Sequence, residues 1–174
     1  MQYMLAKPTK QTKKAQIVGL SFTFIIAIIV MAVTLAVAIY VISNTIKTRD
    51  LFELNKFVFD LENEVDAHYY RTKDSRIIFS GSVPKRFELI CFASVSRPRN
   101  AAVDSDVWNY ITKFPRKNLF FFPPQELEKI GASNAFNISL VNFDKNPLCL
   151  KNEGAVRIVL VNEGDYVKIS NEIL

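Results

Sequence analysis

Hydrophobic positions follow three successive patterns along this chain. From residue 15 to residue 46 there is no charged side chain, and 17–42 is apolar except at Gly19, Ser21, Thr23, Thr34 and Tyr40. As an α-helix, 17–42 is roughly 39 Å long, against a hydrocarbon core of about 30 Å. A buried core helix or a secretory h-region runs only about 10 to 15 residues, so the pattern predicts one membrane-spanning helix.

The second pattern begins past Asn44. No Pro or Gly occurs between Ile46 and Tyr70, so the helix is expected to continue. Leu51, Leu54, Val58, Leu61, Val65 and His68 recur at steps of three and four, the period of one apolar stripe, and Phe52 and Phe59 widen it. Asp50, Lys56, Asp60 and Glu62 fall mostly off the stripe. A helix over 17–70 would be roughly 80 Å long, half in lipid and half projecting outward, where it needs cover.

From Arg76 onward the period changes to alternation, which predicts strands. In 87–95, Phe87, Leu89, Cys91, Ala93 and Val95 share the face expected to pack on the helix. Further strands are predicted at 77–83, 119–122, 137–143, 155–161 and 165–169, with turns at Gly81, Pro84, Asn146-Pro147, Glu153-Gly154 and Glu163-Gly164. Short helical turns are expected at 105–112 and 125–130, the latter opened by Pro123-Pro124. Leu119-Phe120-Phe121-Phe122 reads as a strand buried on both faces, with a sticky partner surface as the alternative. The sequence shows neither an internal repeat nor a low-complexity segment. The fold class is α+β: a long N-terminal transmembrane and stalk helix packed against a small, antiparallel, meandering β-sheet domain. Its parts are a basic leader (1–15), a transmembrane helix (16–45), a stalk helix (46–70) and a β-rich domain (71–174).

Charge adds a topology. The formal net charge is +5, from 22 basic and 17 acidic residues, but Lys7, Lys10, Lys13 and Lys14 precede the apolar run with no acid among them. The chain beyond that run is close to neutral, so the excess marks the cytoplasmic side of a membrane helix and gives no stripe for nucleic acid. The short acid-free tail stays inside while the domain is translocated. Outside the cytoplasm a cysteine pair is oxidised and an Asn-X-Ser triplet becomes an acceptor for sugar. Cys91 and Cys149 lie in two apolar runs, and a bridge between them would contribute about 4 kcal/mol by closing a long loop; buried free thiols are the alternative. Asn137-Ile138-Ser139 is such a triplet.

No residue pattern in the sequence marks a catalytic site. His68, the only histidine, sits on the helical stripe, where packing or a contact with the sheet is its expected role. Glu62, Glu64 and Asp66 read as a solvated helix face in preference to a cation site. Two cysteines and one histidine are too few for a structural metal, and five scattered glycines form no phosphate-cradling loop, so neither metal nor cofactor is expected.

Lys13-Lys14-Ala15-Gln16-Ile17 resembles the processing site of archaeal class III signal peptides, which a prepilin peptidase cuts after a small residue just before the hydrophobic helix. The resemblance implies cleavage between Ala15 and Gln16, leaving the helix on the mature chain. The whole layout is similar to type IV pilins and pilin-like proteins. It implies a membrane-anchored subunit that assembles, with itself or with other pilin-like subunits, into a surface filament or pseudopilus. Many pilins carry Glu at the fifth residue of the mature helix, and here that position is Leu20, which points toward a minor or pseudopilin-like role. The competing readings are an uncleaved single-pass signal anchor whose ectodomain binds an envelope partner and, third, an ectoenzyme.

Overall fold

The computed structural model describes residues 14–100 and 104–171, with side chains of the first helix from Phe22 onward. The chain divides between Thr45 and Ile46 into two units. Helix α1 (Lys14–Tyr69) contributes to both.

In the first unit every described side chain is exposed, and no side of the helix is covered. The exposure of the large apolar side chains between Phe22 and Ile42 runs from 46% at Ile26 to 72% at Tyr40. Water would penalise that surface heavily, whereas acyl chains would not. Two of its hydroxyls bond back to the helix: Thr34 Oγ1 donates to Met31 O and Thr45 Oγ1 to Val41 O, each at 2.9 Å. The helix is long and apolar enough to cross a membrane.

The second unit is built on the rest of α1. Leu54, Phe57, Leu61, Val65 and His68 are buried at steps of three and four, Leu51 and Val58 are half-buried, and Phe52 and Phe59 face outward. The stripe therefore centres on Leu61 and takes in Phe57 at one margin, and the two phenylalanines expected to widen it do not. At 3.6 residues per turn, about 100° per residue, Leu61 falls between Phe57 and Leu54 on the helix surface, whereas Phe52 and Phe59 fall on the opposite side.

The strands are β1 (Arg76–Ser82), β2 (Leu89–Phe92), β3 (Leu119–Phe122), β4 (Val141–Phe143), β5 (Leu148–Lys151), β6 (Ala155–Asn162) and β7 (Val167–Ser170). They form two sheets, ordered β1-β6-β7-β4 and β3-β2-β5. All pairs are antiparallel except β4 with β7. The single antiparallel meander expected from the sequence is thus replaced by two sheets with one parallel pair. β5 lies in an apolar run that the alternation rule passed over. The α+β class, with a helix packed on sheet, stands as expected.

Helices α2 (Ser105–Ile111) and α3 (Gln125–Ile130) are short. Asp104 caps α2 by accepting from Asp106 N at 2.9 Å. Gly131, at φ 73°, closes α3 in the left-handed conformation that a side chain resists.

Both faces of β2 and β3 are buried. Ile90, Phe92, Leu119 and Phe121 join the main core around Leu54, Phe57 and Leu61, while Cys91, Ala93, Phe120 and Phe122 pack in a second cluster with Ile111 of α2. The face of β2 expected against the helix is therefore the wrong one. Cys91 and Ala93 belong to the second cluster, and the intervening Ile90 and Phe92 meet the main core. Alternation identifies a helix-facing side only when the other side meets water; here a second apolar layer covers it.

Candidate functional site

Cys91 and Cys149 stand directly opposite each other on β2 and β5 and are disulfide-bonded, with Cα atoms 4.1 Å apart. A bridge across 58 positions restrains the unfolded chain by about 4 kcal/mol in the loop-entropy account.

Three buried asparagines organise the connections around this framework. Asn152 Nδ2 donates to Pro84 O (3.0 Å) and Phe87 O (2.8 Å), and its Oδ1 accepts from Gly154 N (2.9 Å). Asn162 Nδ2 donates to His68 O (3.0 Å), Tyr69 O (2.9 Å) and Arg71 O (2.9 Å), closing the end of α1, while its Oδ1 accepts from Gly164 N (2.7 Å). Both belong to Asn-Glu-Gly triplets, 152–154 and 162–164, whose glycines have φ of 103° and 97°. The two triplets bracket β6 and share one turn motif, far shorter than a structural repeat. Its signal was visible as Asn two residues before each turn glycine. The third, Asn146, donates to Ser94 O, Arg97 O and Pro98 O at 2.8, 3.0 and 3.2 Å and accepts from Ser94 N at 2.8 Å. Unpaired carbonyls in such turns would each be costly, so single amides satisfying several of them stabilise both loop and core.

His68 is fully buried, and its Nε2 lies 3.0 Å from Ser75 O just before β1. That carbonyl can only accept, so Nε2 carries the proton; Nδ1 has no hydrogen-bond partner. Of the acidic trio, Asp66 is exposed and Glu64 sits 3.8 Å from Arg71. Among the described residues no cluster of three His, Cys, Asp or Glu side chains is placed to hold a metal. Leu119–Phe122 is buried throughout, as a core strand is. Asn137 is exposed, whereas Ile138 is buried and its backbone is held by Asn118, which donates to Ile138 O (2.7 Å) and accepts from Ile138 N (2.8 Å).

Arg86 pairs with Asp50 of α1 and, at 3.4 Å, with Glu126 of α3. Among the described residues two groups titrate away from their ordinary values. Burial, and secondarily the Glu128 carboxylate, push the Tyr110 phenol above 10.0; its hydroxyl donates to Asn134 O at 3.0 Å. A hydrogen bond to Glu163 holds the Lys168 ammonium above 10.5.

Clefts among the described residues include two with contrasting linings. One of about 520 Å³ is lined mainly by Leu89, Val107, Tyr110, Phe122, Pro123 and Pro124. The other, of about 340 Å³, is polar and includes Ser94, Arg97, Arg116, Lys117, Asn137 and Asn142. No local sequence pattern marks the second, because its cations come from separate loops.

Of the processing-site residues, Lys13 lies outside the described residues; Lys14, Ala15 and Gln16 are helical, and their side chains likewise lie outside what the structure describes. No family model, curated protein or solved structure matches the chain.

Proposed function

We propose that this chain is a pilin-like, membrane-anchored subunit of a surface filament or pseudopilus, assembling through its N-terminal helix. The observation that carries the reading is the exposure of every large apolar side chain from Phe22 to Ile42, continued by a helix whose later turns form the core of a small disulfide-bonded β domain. A plain tether needs only to cross the bilayer. A helix of this length that is also the spine of its domain suits packing among copies, where apolar faces meet both lipid and neighbouring helices.

In this reading the prepilin peptidase recognises Lys13 and Lys14 and cuts between Ala15 and Gln16. The N-terminus faces the cytoplasm, the β domain lies outside, and the partners are the membrane and other pilin-like subunits. The protein has no catalytic role and uses no cofactor.

Leu20 favours a second reading, an uncleaved signal anchor whose domain binds an envelope partner. Mass spectrometry of the membrane-extracted protein separates the two. The pilin reading expects a mature chain beginning at Gln16, and accumulation of full-length protein in Lys14→Ala and Ala15→Leu variants. An intact Met1 in cells with an active prepilin peptidase overturns it in favour of the anchor.

A further inference from the structure

We propose that the polar cleft between the 94–98 and 113–118 loops binds an acidic sugar chain, one bearing carboxylate or sulfate groups. Arg97, Arg116 and Lys117 line it, no Asp or Glu does, and none of the three forms an ion pair among the described residues. Elsewhere in the domain Arg86, Lys129 and Lys168 pair with carboxylates, while other cations such as Lys85 and Arg157 stand singly among the described residues; what sets these three apart is that they share one concavity without an acid. Three unneutralised cations around one concavity repel one another, and an anion placed among them relieves that repulsion.

Both walls are held in place before any ligand arrives. Asn146 gathers Ser94 O, Arg97 O and Pro98 O and so fixes the loop that carries Arg97. The guanidinium of Arg97 donates to Asn142 Oδ1 and to Phe143 O (2.9 Å) and lies 5.4 Å from the centre of the Phe143 ring. The opposite loop is closed by Lys117 N donating to Phe114 O at 3.0 Å and by Ala93 N donating to Asn118 O at 3.0 Å. The Asn118 side chain ties it to Ile138. Arg116 and Lys117 are therefore exposed cations on a pinned turn, an arrangement that lowers the ordering cost of binding.

The remaining lining selects the class of anion. Ser94 and the exposed Asn137 present hydroxyl and amide groups suited to sugar hydroxyls. A single-stranded nucleic acid would need aromatic faces on which to stack its bases. The one ring in the lining, Phe143, is buried and already faces Arg97.

This site rests on the reading of the domain as extracytoplasmic, but its test is independent of leader cleavage. The purified full chain in detergent micelles is titrated at low salt with labelled polygalacturonate, heparin, neutral dextran and a single-stranded oligonucleotide. Binding of at least one acidic sugar is expected, weakening steeply with added salt. The double variant Arg116→Glu/Lys117→Glu should lose at least tenfold in affinity, and Arg116→Gln/Lys117→Gln at least threefold. Arg157→Glu, on β6, should stay within twofold of the parent. Four results overturn the proposal: dextran binding as tightly, no acidic sugar binding, cooperatively folded cleft variants that bind like the parent, or the oligonucleotide binding tenfold tighter than either sugar.

Discussion

Gly81 on β1 faces the Phe57 ring of α1 so closely that a Cβ in its place would lie 2.5 Å from Cδ2 and 2.8 Å from Cε2. The ring has little room to yield, because Phe79 and Phe121 flank it with centroids 5.8 and 6.1 Å away. Gly81 thus sets how near the helix sits to the sheet. Gly81→Ala should destabilise the domain by about 1–3 kcal/mol, as overpacking does. Combined with Phe57→Ala, whose own cost is about 3–5 kcal/mol, it should add almost nothing. Urea unfolding of the full chain in micelles would show this, and additive effects would disprove the contact.

At the far end of β6, Asn162 closes α1 with an amide that only donates toward His68 O, Tyr69 O and Arg71 O. Asn162→Ala should cost about 2–4 kcal/mol by leaving carbonyls without a donor. Asn162→Asp keeps the size and the acceptor for Gly164 N but aims an oxygen at three oxygens, so it should be at least as damaging. An Asp variant as stable as the parent would mean that the side chain merely fills space.

The sequence made the gross architecture legible wherever one physical rule acted alone. The charge-free run before Lys47 identified the apolar helix, and the three-and-four spacing of Leu54, Leu61 and Val65 identified its packed continuation. Legibility failed where two layers compete for one strand, as at Cys91 and Phe92, which are both fully buried in different clusters. It failed again for the polar cleft, because Arg97 and Arg116 meet only through turns fixed by Asn146 and Asn118. No local pattern encodes that meeting.

The Cys91–Cys149 bridge joins the central strand of the smaller sheet to its edge strand β5. Reduction by dithiothreitol should lower stability by about 4 kcal/mol, because the unfolded chain regains a long loop. A Cys91→Ala/Cys149→Ala variant should reproduce that loss and become insensitive to reductant. A reductant-induced shift that persists in the double variant would locate the effect elsewhere.

Tyr110 and Lys168 both have pKa values above their ordinary 10.0 and 10.5 in the folded domain, the first chiefly through burial and the second chiefly through its hydrogen bond to Glu163. A group whose folded pKa is raised binds its proton more tightly when folded. The resulting stability is complete below the unfolded pKa and disappears as pH rises through the folded one. For these two groups the loss therefore begins near pH 10 and continues above it. Tyr110→Phe removes the phenol whose ionisation drives part of the loss, and Lys168→Met removes the ammonium. Each variant should flatten the decline in unfolding free energy between about pH 9.5 and 11.5, and the pair should flatten it further, since Tyr110 packs with Phe122 while Lys168 bonds to Glu163. An alkaline decline as steep in the double variant as in the parent would assign the effect to other groups.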